Sequence, residues 1–192
     1  MDILKMISEQ LNNEENLRKI AEKAGAQPNQ VKQAAQLGLP AILQALGKNA
    51  ANPQGAASLS KALEDHQNDN VLDVSSFLNK VDTKDGAKIL QHIFSEKSPA
   101  VGSKLANQSG MDTDQAMGVL SQLAPLVLGA LGQQKKQENV GATDLSSMLM
   151  GLAKNQAGGS NMMSQITNLL DADNDGSIVD DVTGLLGKFM KR

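Results

Sequence analysis

Apolar residues recur every three or four positions along most of this chain, which is the spacing of one face of an α-helix. The first such set is Ile3, Leu4, Ile7 and Leu11. A second set follows Glu14-Glu15, whose acidic side chains suit the first turn of a helix, and stops at Gly25. Because the β-branched and aromatic runs that strands favour are missing, the pattern predicts an all-α protein.

Two of the helical stretches, residues 37–47 and 122–132, have nearly the same sequence. Each surrounds one proline with apolar residues and reaches a glycine directly after Ala-Leu. Pro40 cannot donate a backbone hydrogen bond, and its ring crowds the preceding turn, so we expect a kink or a break there. We expect Gly47 to end the first of these helices.

Prolines, glycines and polar clusters predict where the shorter helices begin and end. Asn52-Pro53 and Ser98-Pro99 each predict an N-cap followed by a proline in the first turn. Another helix is expected over 71–81, followed by a turn from Asp82 to Gly86. Residues 155–160, which contain Gly158-Gly159, are the best candidate for a linker.

The chain also repeats itself. Residues 21–47 align with residues 106–132 at a constant offset of 85, and residues 55–63 align with residues 141–149 at an offset of 86. The change of one residue falls in the intervening loop, where insertions are tolerated. The alignment favours an internal duplication; the alternative is coincidence among helices that are rich in Ala, Leu and Gly.

These patterns predict one all-helical domain over residues 1–192. Its repeat-like halves would cover about 16–80 and 101–155, and residues 156–192 would form a C-terminal segment with an Asp-rich turn and a last helix. Two copies are too few for a solenoid, so we expect the halves to pack against each other as a pseudo-symmetric pair.

Composition excludes several classes of function. Aromatic residues make up 2% of the chain and the formal net charge is −3, so the chain has neither a base-stacking surface nor a strong basic field for nucleic acid. The chain contains no cysteine, which excludes disulfides, thiolate nucleophiles and zinc–sulfur sites. We expect no nucleic-acid partner.

No targeting signal is visible at the start of the sequence. Residues 1–6 lack the basic region followed by an apolar region that marks a signal peptide. The longest apolar runs, near 37–46 and 123–131, are shorter than the ~20 residues that span a bilayer. We therefore expect no transmembrane segment and a cytoplasmic location.

One segment near the C-terminus resembles the first half of a calcium-binding loop. Asp171, Asp173 and Asp175 supply oxygens at alternate positions, Gly176 allows a sharp turn, and Ser177 follows where such loops use a backbone carbonyl. The second half departs from this pattern, because Val182 stands where a bidentate Glu would close the site. Asp180 and Asp181 fall at positions ten and eleven, and either could bend back to the ion, although their spacing differs from that of the standard loop.

The alternative for this segment is a turn followed by a helix cap. Ser177 and Asp180 have the spacing of a capping box, and Asp175-Gly176 is an ordinary turn sequence. The sequence thus leaves open whether the segment binds Ca²⁺ weakly or only begins a helix. No other metal or cofactor is indicated.

Catalytic motifs are missing from the sequence. No zinc-protease, phosphate-loop, nucleophile-elbow or dinucleotide-binding pattern occurs. His92 has Lys88 and Glu96 at helical spacing and is expected on a partly solvated face, and His66 is expected on the surface near a helix end. The methionines are expected as core or interface filler, or as an adaptable groove for partner helices: Met148, Met150, Met162 and Met163.

Three blocks together resemble an uncharacterised bacterial family, the domain of unknown function number 937. They are the duplicated helices around Pro40 and Pro125, the block from Asp85 to Phe94, and the segment from Asp171 to Asp181. The resemblance covers about residues 16–187 and implies an all-helical fold in a bacterial protein. It implies no activity and no functional residue.

Three hypotheses about function follow. The first is a non-enzymatic module that binds a partner protein or associates with itself, because catalytic motifs are missing and the helix faces are rich in Ala, Gly and Met. The second is a weak calcium-binding domain that uses residues 171–181. The third is an unrecognised small-ligand binder or hydrolase, which a site with His92 facing inward would support.

Overall fold

The computed structural model describes residues 3–156 and 160–171, and these residues confirm the all-α prediction, because no strand occurs among them. Two short 3-10 turns, Ser95–Lys97 and Ala142–Asp144, separate some of the helices. The α-helices are α1 (Ile3–Leu11), α2 (Glu14–Ala24), α3 (Pro28–Asn49), α4 (Pro53–His66), α5 (Val74–Lys80), α6 (Thr83–Phe94), α7 (Ser98–Ser109), α8 (Thr113–Glu138), α9 (Leu145–Gln156) and α10 (Ser160–Leu170).

Several predicted helix ends are confirmed. Gly25 ends α2 in the left-handed conformation, with φ of 66°. Asn52 caps α4 by accepting a 2.7 Å hydrogen bond from the backbone N–H of Gly55. Ser98 is not the cap of α7 but its first residue, because the 3-10 turn before it already brings Lys97 into helical conformation.

The predicted turn from Asp82 to Gly86 is wrong beyond its first residue. Thr83 to Gly86 form the first turn of α6, and the Asp82 carboxylate caps that turn by accepting from the N–H groups of Lys84 and Asp85 at 2.8 and 3.3 Å. Gly86 lies inside the helix, at a point where α8 comes very close. A Cβ on residue 86 would stand 1.7 Å from the carbonyl oxygen of Ser121 in α8, so only glycine fits there. The glycine thus serves close helix packing rather than a turn.

The central helices α3 and α8 each contain a buried proline, Pro40 and Pro125. Neither helix breaks at its proline, so of the kink or break expected at Pro40 the break does not occur. Most residues around both prolines are buried, and packing on several sides outweighs the lost backbone hydrogen bond. Each helix also continues past its Ala-Leu-Gly sequence, so Gly47 does not end α3.

Each half of the chain places a shorter helix on the central helix of the other half. α4 packs on α8, α9 packs on α3, and α3 and α8 contact each other. The two glycines of the Ala-Leu-Gly sequences lie at these crossings. A Cβ on Gly132 would stand 2.3 Å from the carbonyl oxygen of Leu63 in α4, and one on Gly47 would stand 3.3 Å from Cγ of Met150 in α9.

A pair of reciprocal hydrogen bonds joins the two halves elsewhere. Gln30 Nε2 donates to the carbonyl of Gly110, and Gln115 Nε2 donates to the carbonyl of Gly25. Gly110 has φ of 68°, close to the 66° of Gly25. These residues occupy equivalent positions in the predicted alignment, so equivalent positions have matching local geometry. An internal duplication as the origin of this match remains a prediction.

The apolar helix α8 lies mostly inside the fold. It is the one helix among the described residues that is long and apolar enough to cross a membrane, with mean hydropathy of 1.3 over its best window. However, 83% of that window is buried by the surrounding helices. Its apolar composition is therefore explained by its place in the core, since α3, α4, α6 and α7 all pack on it.

Candidate binding groove

An open groove of about 880 Å³ lies between α4 and α6, above the end of α3. Its floor is apolar, because the side chains of Leu46, Leu59, Ile93 and Leu128 reach it from four different helices. Its rim is polar. The groove is lined by Leu46, Asn49, Asn52, Gln54, Gly55, Ser58, Leu59, Ala62, Lys88, Ile89, Gln91, His92, Ile93, Ser95, Glu96 and Leu128.

The charged residues of the rim come from one side. Lys88 and His92 are exposed on α6, and Glu96 follows in the 3-10 turn. Residues four apart on a helix lie on the same face, so Lys88 and His92 share this wall, and Glu96 joins them from the turn that follows α6. Neither makes an ion pair with any of the described residues. The wall therefore offers one positive and one negative charge to a ligand.

Local hydrogen bonds fix the open end of the groove. Asn49 Nδ2, from α3, donates to the carbonyl of Ile93 at 3.0 Å and holds the last turn of α6. Ser95 then ends α6 with φ of 50° and ψ of −130°, a backbone conformation that residues other than glycine rarely adopt. The sharp change of direction at Ser95 brings Glu96 to the rim.

The opposite ends of α4 and α6 are joined by a histidine between two carboxylates. His66 Nδ1 lies 2.8 Å from Asp69 Oδ2, and His66 Nε2 lies 3.9 Å from Asp85 Oδ2 in α6. His66, which the sequence places on the surface near a helix end, ends α4 and is partly buried there, with 22% of its side chain exposed. His66 thus connects the C-terminal end of α4 with the N-terminal end of α6. The groove opens between the opposite ends of these two helices.

His92 lies on the solvated face of α6 that the sequence predicts, and this face is also the wall of the groove. Its ring has no hydrogen-bonded carboxylate among the described residues, whereas His66 has one. His92 therefore lacks the partner that would orient it as a general base. The arrangement can bind a ligand, and the described residues position no proton-transfer group over it.

Only the first residue of the predicted calcium loop is described. Asp171 is 6% exposed, its N–H donates to the carbonyl of Thr167 at 2.9 Å, and its own carbonyl accepts from the Lys104 ammonium. Asp173, Asp175, Ser177 and Asp181 lie outside the described residues. Within residues 3–156 and 160–171, no three His, Asp or Glu side chains converge as metal ligands.

The methionines are divided between two environments. Met148 is half-buried against the core, and Met150 is 38% exposed on α9. The side chains of Met162 and Met163 lie outside the described residues. Among the described residues that line the groove between α4 and α6 there is no methionine, so the described part of the groove is not a methionine-rich surface.

Comparison with known proteins identifies one family. The family described as bacterial proteins of unknown function (DUF937) matches residues 5–134 and again residues 135–191. The two matches meet inside α8, so they are compatible with a repeat without establishing one. No curated protein and no solved structure matches the chain.

Proposed function

This chain belongs to the DUF937 family of bacterial proteins of unknown function, and for it we propose a non-enzymatic role in which the groove between α4 and α6 binds an amphipathic helix of a partner protein. The observation that carries the proposal is the combination of an apolar floor with Lys88 and Glu96 on one wall. Helix-in-groove binding uses such a floor for affinity and the charges at its edge for orientation.

The groove specifies the chemistry of its occupant. The partner helix carries an apolar stripe that packs on the floor of Leu46, Leu59, Ile93 and Leu128. On one side of the stripe it carries an acidic residue for Lys88 and a basic residue for Glu96.

Two further observations support a binding role without catalysis. Within residues 3–156 and 160–171, no carboxylate orients His92 at the groove, and the Asp69–His66 pair lies at the closed end between α4 and α6. The burial of α8 supports a soluble protein, and we propose that the protein acts in the cytoplasm.

A peptide selection tests this role. Amphipathic helical peptides of random sequence are selected for binding to the full chain. Each selected peptide is then measured against Ala62→Trp, which fills the groove, and Ala57→Trp, which adds the same bulk on the exposed face of α4 outside the groove. We expect Ala62→Trp to weaken binding at least about tenfold and Ala57→Trp to leave it unchanged, because only the first occupies the apolar floor.

Charge reversal gives a second readout. Selection on the double variant Lys88→Glu, Glu96→Lys should return peptides in which the acidic and basic positions are exchanged. Peptides that bind Ala62→Trp as tightly as the unchanged protein, or that show no charge preference in either selection, would overturn the proposal.

Calcium binding by residues 171–181 is a separate proposal. The Lys104 ammonium contacts the backbone of Asp171 and opposes a cation, so we expect a dissociation constant no tighter than about 10⁻⁴ M. Millimolar Ca²⁺ should raise the melting temperature relative to excess chelator, since a ligand that binds only the native state stabilises it. The variant Asp173→Asn, Asp175→Asn is the control that should lose the effect. An equal melting temperature with and without Ca²⁺ would end this proposal.

A further inference from the structure

We infer that the C-terminal segment of this same chain, residues 181–192, occupies the groove between α4 and α6 and competes there with the partner helix. The inference rests on the proposed function of the groove and adds its regulation. The segment lies outside the described residues, so its sequence pattern, its charges and the position of Asp171 carry the argument.

The sequence of the segment has the apolar pattern that the groove requires. Val182, Leu185, Leu186 and Phe189 are spaced as i, i+3, i+4 and i+7, which places them on one face of a helix. This face matches a floor made of Leu46, Leu59, Ile93 and Leu128. Gly184 and Gly187 lower the stability of an isolated helix, so the segment gains its helical structure by docking.

The charges of the segment complement those of the wall. Asp181 and Lys188 are seven residues apart, which places them on the same flank of the apolar face, about two turns from each other. With Asp181 opposite Lys88, the opposite charges of Asp181 and Lys188 complement those of Lys88 and Glu96, which both line the groove and make no ion pair among the described residues. Thr183 then lies on the other flank of the helix and faces α4.

The connection is long enough for this arrangement. Lys104 in α7 donates to the carbonyls of Asp171 and Asn168, which ties the chain before the segment to the middle of α7. Along the chain, Lys88 and Lys104 are separated by two helical stretches and the three-residue turn between them. The two stretches together are about 18 Å long. Residues 172–181 span about 33 Å when extended, so Asp181 can reach Lys88.

Disulfide trapping tests the inference directly, because the chain contains no cysteine of its own. In the full chain, Ser58→Cys places a thiol on the α4 wall of the groove, and Thr183→Cys places one on the flank expected to face it. The pair Ala57→Cys, Thr183→Cys is the matched control, since Ala57 is exposed on α4 outside the groove. We expect mild oxidation to give an intramolecular disulfide in the first pair at least about tenfold faster than in the control.

The charge match gives a rescue experiment. In the Ser58→Cys, Thr183→Cys variant, adding Lys88→Glu should slow disulfide formation, whereas adding Asp181→Lys together with Lys88→Glu should restore it. Equal trapping in the groove pair and the control would overturn the inference. So would a disulfide found only between two molecules, because the occupant would then be a second copy of the chain.

Peptide binding separates this inference from the proposed function. If the segment competes for the groove, Leu185→Asp should tighten the binding of a selected peptide by at least about threefold. The substitution weakens docking of the segment, so a larger fraction of the protein molecules has an open groove. Peptide binding without faster trapping would overturn the inference and leave the proposed function standing. Trapping in the groove with no selected peptide would support the inference and count against the proposed function.

Discussion

Single glycines determine how closely the helices of this protein approach. Gly47 and Gly132 have the sequence context of helix ends, yet both lie inside helices where a second helix crosses. The sequence could not distinguish these two uses, because a glycine after an apolar run fits a helix end and a close crossing equally well. Gly25, in contrast, was predicted correctly as a stop, since Gln27 and Pro28 follow it within three positions.

Alanine substitutions at two glycines should have opposite effects. Gly132→Ala should lower the free energy of unfolding by at least about 2 kcal/mol, because its Cβ would stand 2.3 Å from the backbone oxygen of Leu63. Gly151→Ala should raise it by about 0.5–1 kcal/mol, because this position inside α9 has no atom within 4 Å of the added Cβ. Urea unfolding of both variants measures the difference, and destabilisation at both sites would contradict the account of Gly132.

At the scale of the helices, local sequence predicted some helix ends, whereas features that depend on contacts between helices were not predicted. The Asn-Pro start of α4 was predicted from two residues, because the cap and the proline act locally. The early start of α6 was missed because a glycine after Asp85 is typical of a turn, whereas Gly86 packs against Ser121 of another helix. The groove was missed for the same reason: its floor comes from α3, α4, α6 and α8, although the residues Lys88, His92 and Glu96 had been noticed on one face.

The contact between α4 and α8 includes an ion pair with a consequence for pH. Lys135 of α8 donates to Glu64 of α4 at 2.9 Å, and this hydrogen bond holds the pKa of the Glu64 carboxyl below its ordinary value of 4.5. A lowered pKa in the folded state means that the pair stabilises the fold above that ordinary value. The contribution is lost as the pH falls through the lowered pKa.

Glu64→Gln should therefore lower the melting temperature slightly at pH 7, by no more than about 3 °C because the side chain is largely exposed. The difference from the unchanged protein should shrink as the pH falls below 4.5. Glu22→Gln, at an exposed position in α2, is the control. A difference between Glu64→Gln and the unchanged protein that stays constant down to about pH 3 would show that the Lys135 pair does not cause it.

At the scale of the molecule, the two halves depend on each other. The sequence predicted one domain with two related halves, and the repeat offset identified equivalent residues such as Gln30 and Gln115, which make reciprocal contacts in the structure. The exchange of α4 and α9 between the central helices was not predicted. Periodicity shows which face of a helix is apolar, but it does not show which of two similar helices that face will contact.

This exchange predicts the behaviour of separated halves. Residues 1–97 and 98–192, produced separately, should be poorly folded, because α4 lacks α8 in the first and α9 lacks α3 in the second. Produced together, they should associate and recover the helical circular dichroism and cooperative melting of the intact chain. Copurification with a tag on one half measures the association. Cooperative melting of either half alone would contradict the interdependence.

The placement of α4 on α8 also affects the protein during its synthesis. α4 leaves the ribosome before α8 has been translated, because residues 67–112 lie between them in the chain. At a translation rate of about 5–20 residues per second, the apolar face of α4 remains uncovered by α8 for roughly two to ten seconds. Over that interval the nascent chain exposes Leu59 and Leu63, and binding by a chaperone at this stage would protect the half-made protein from aggregation.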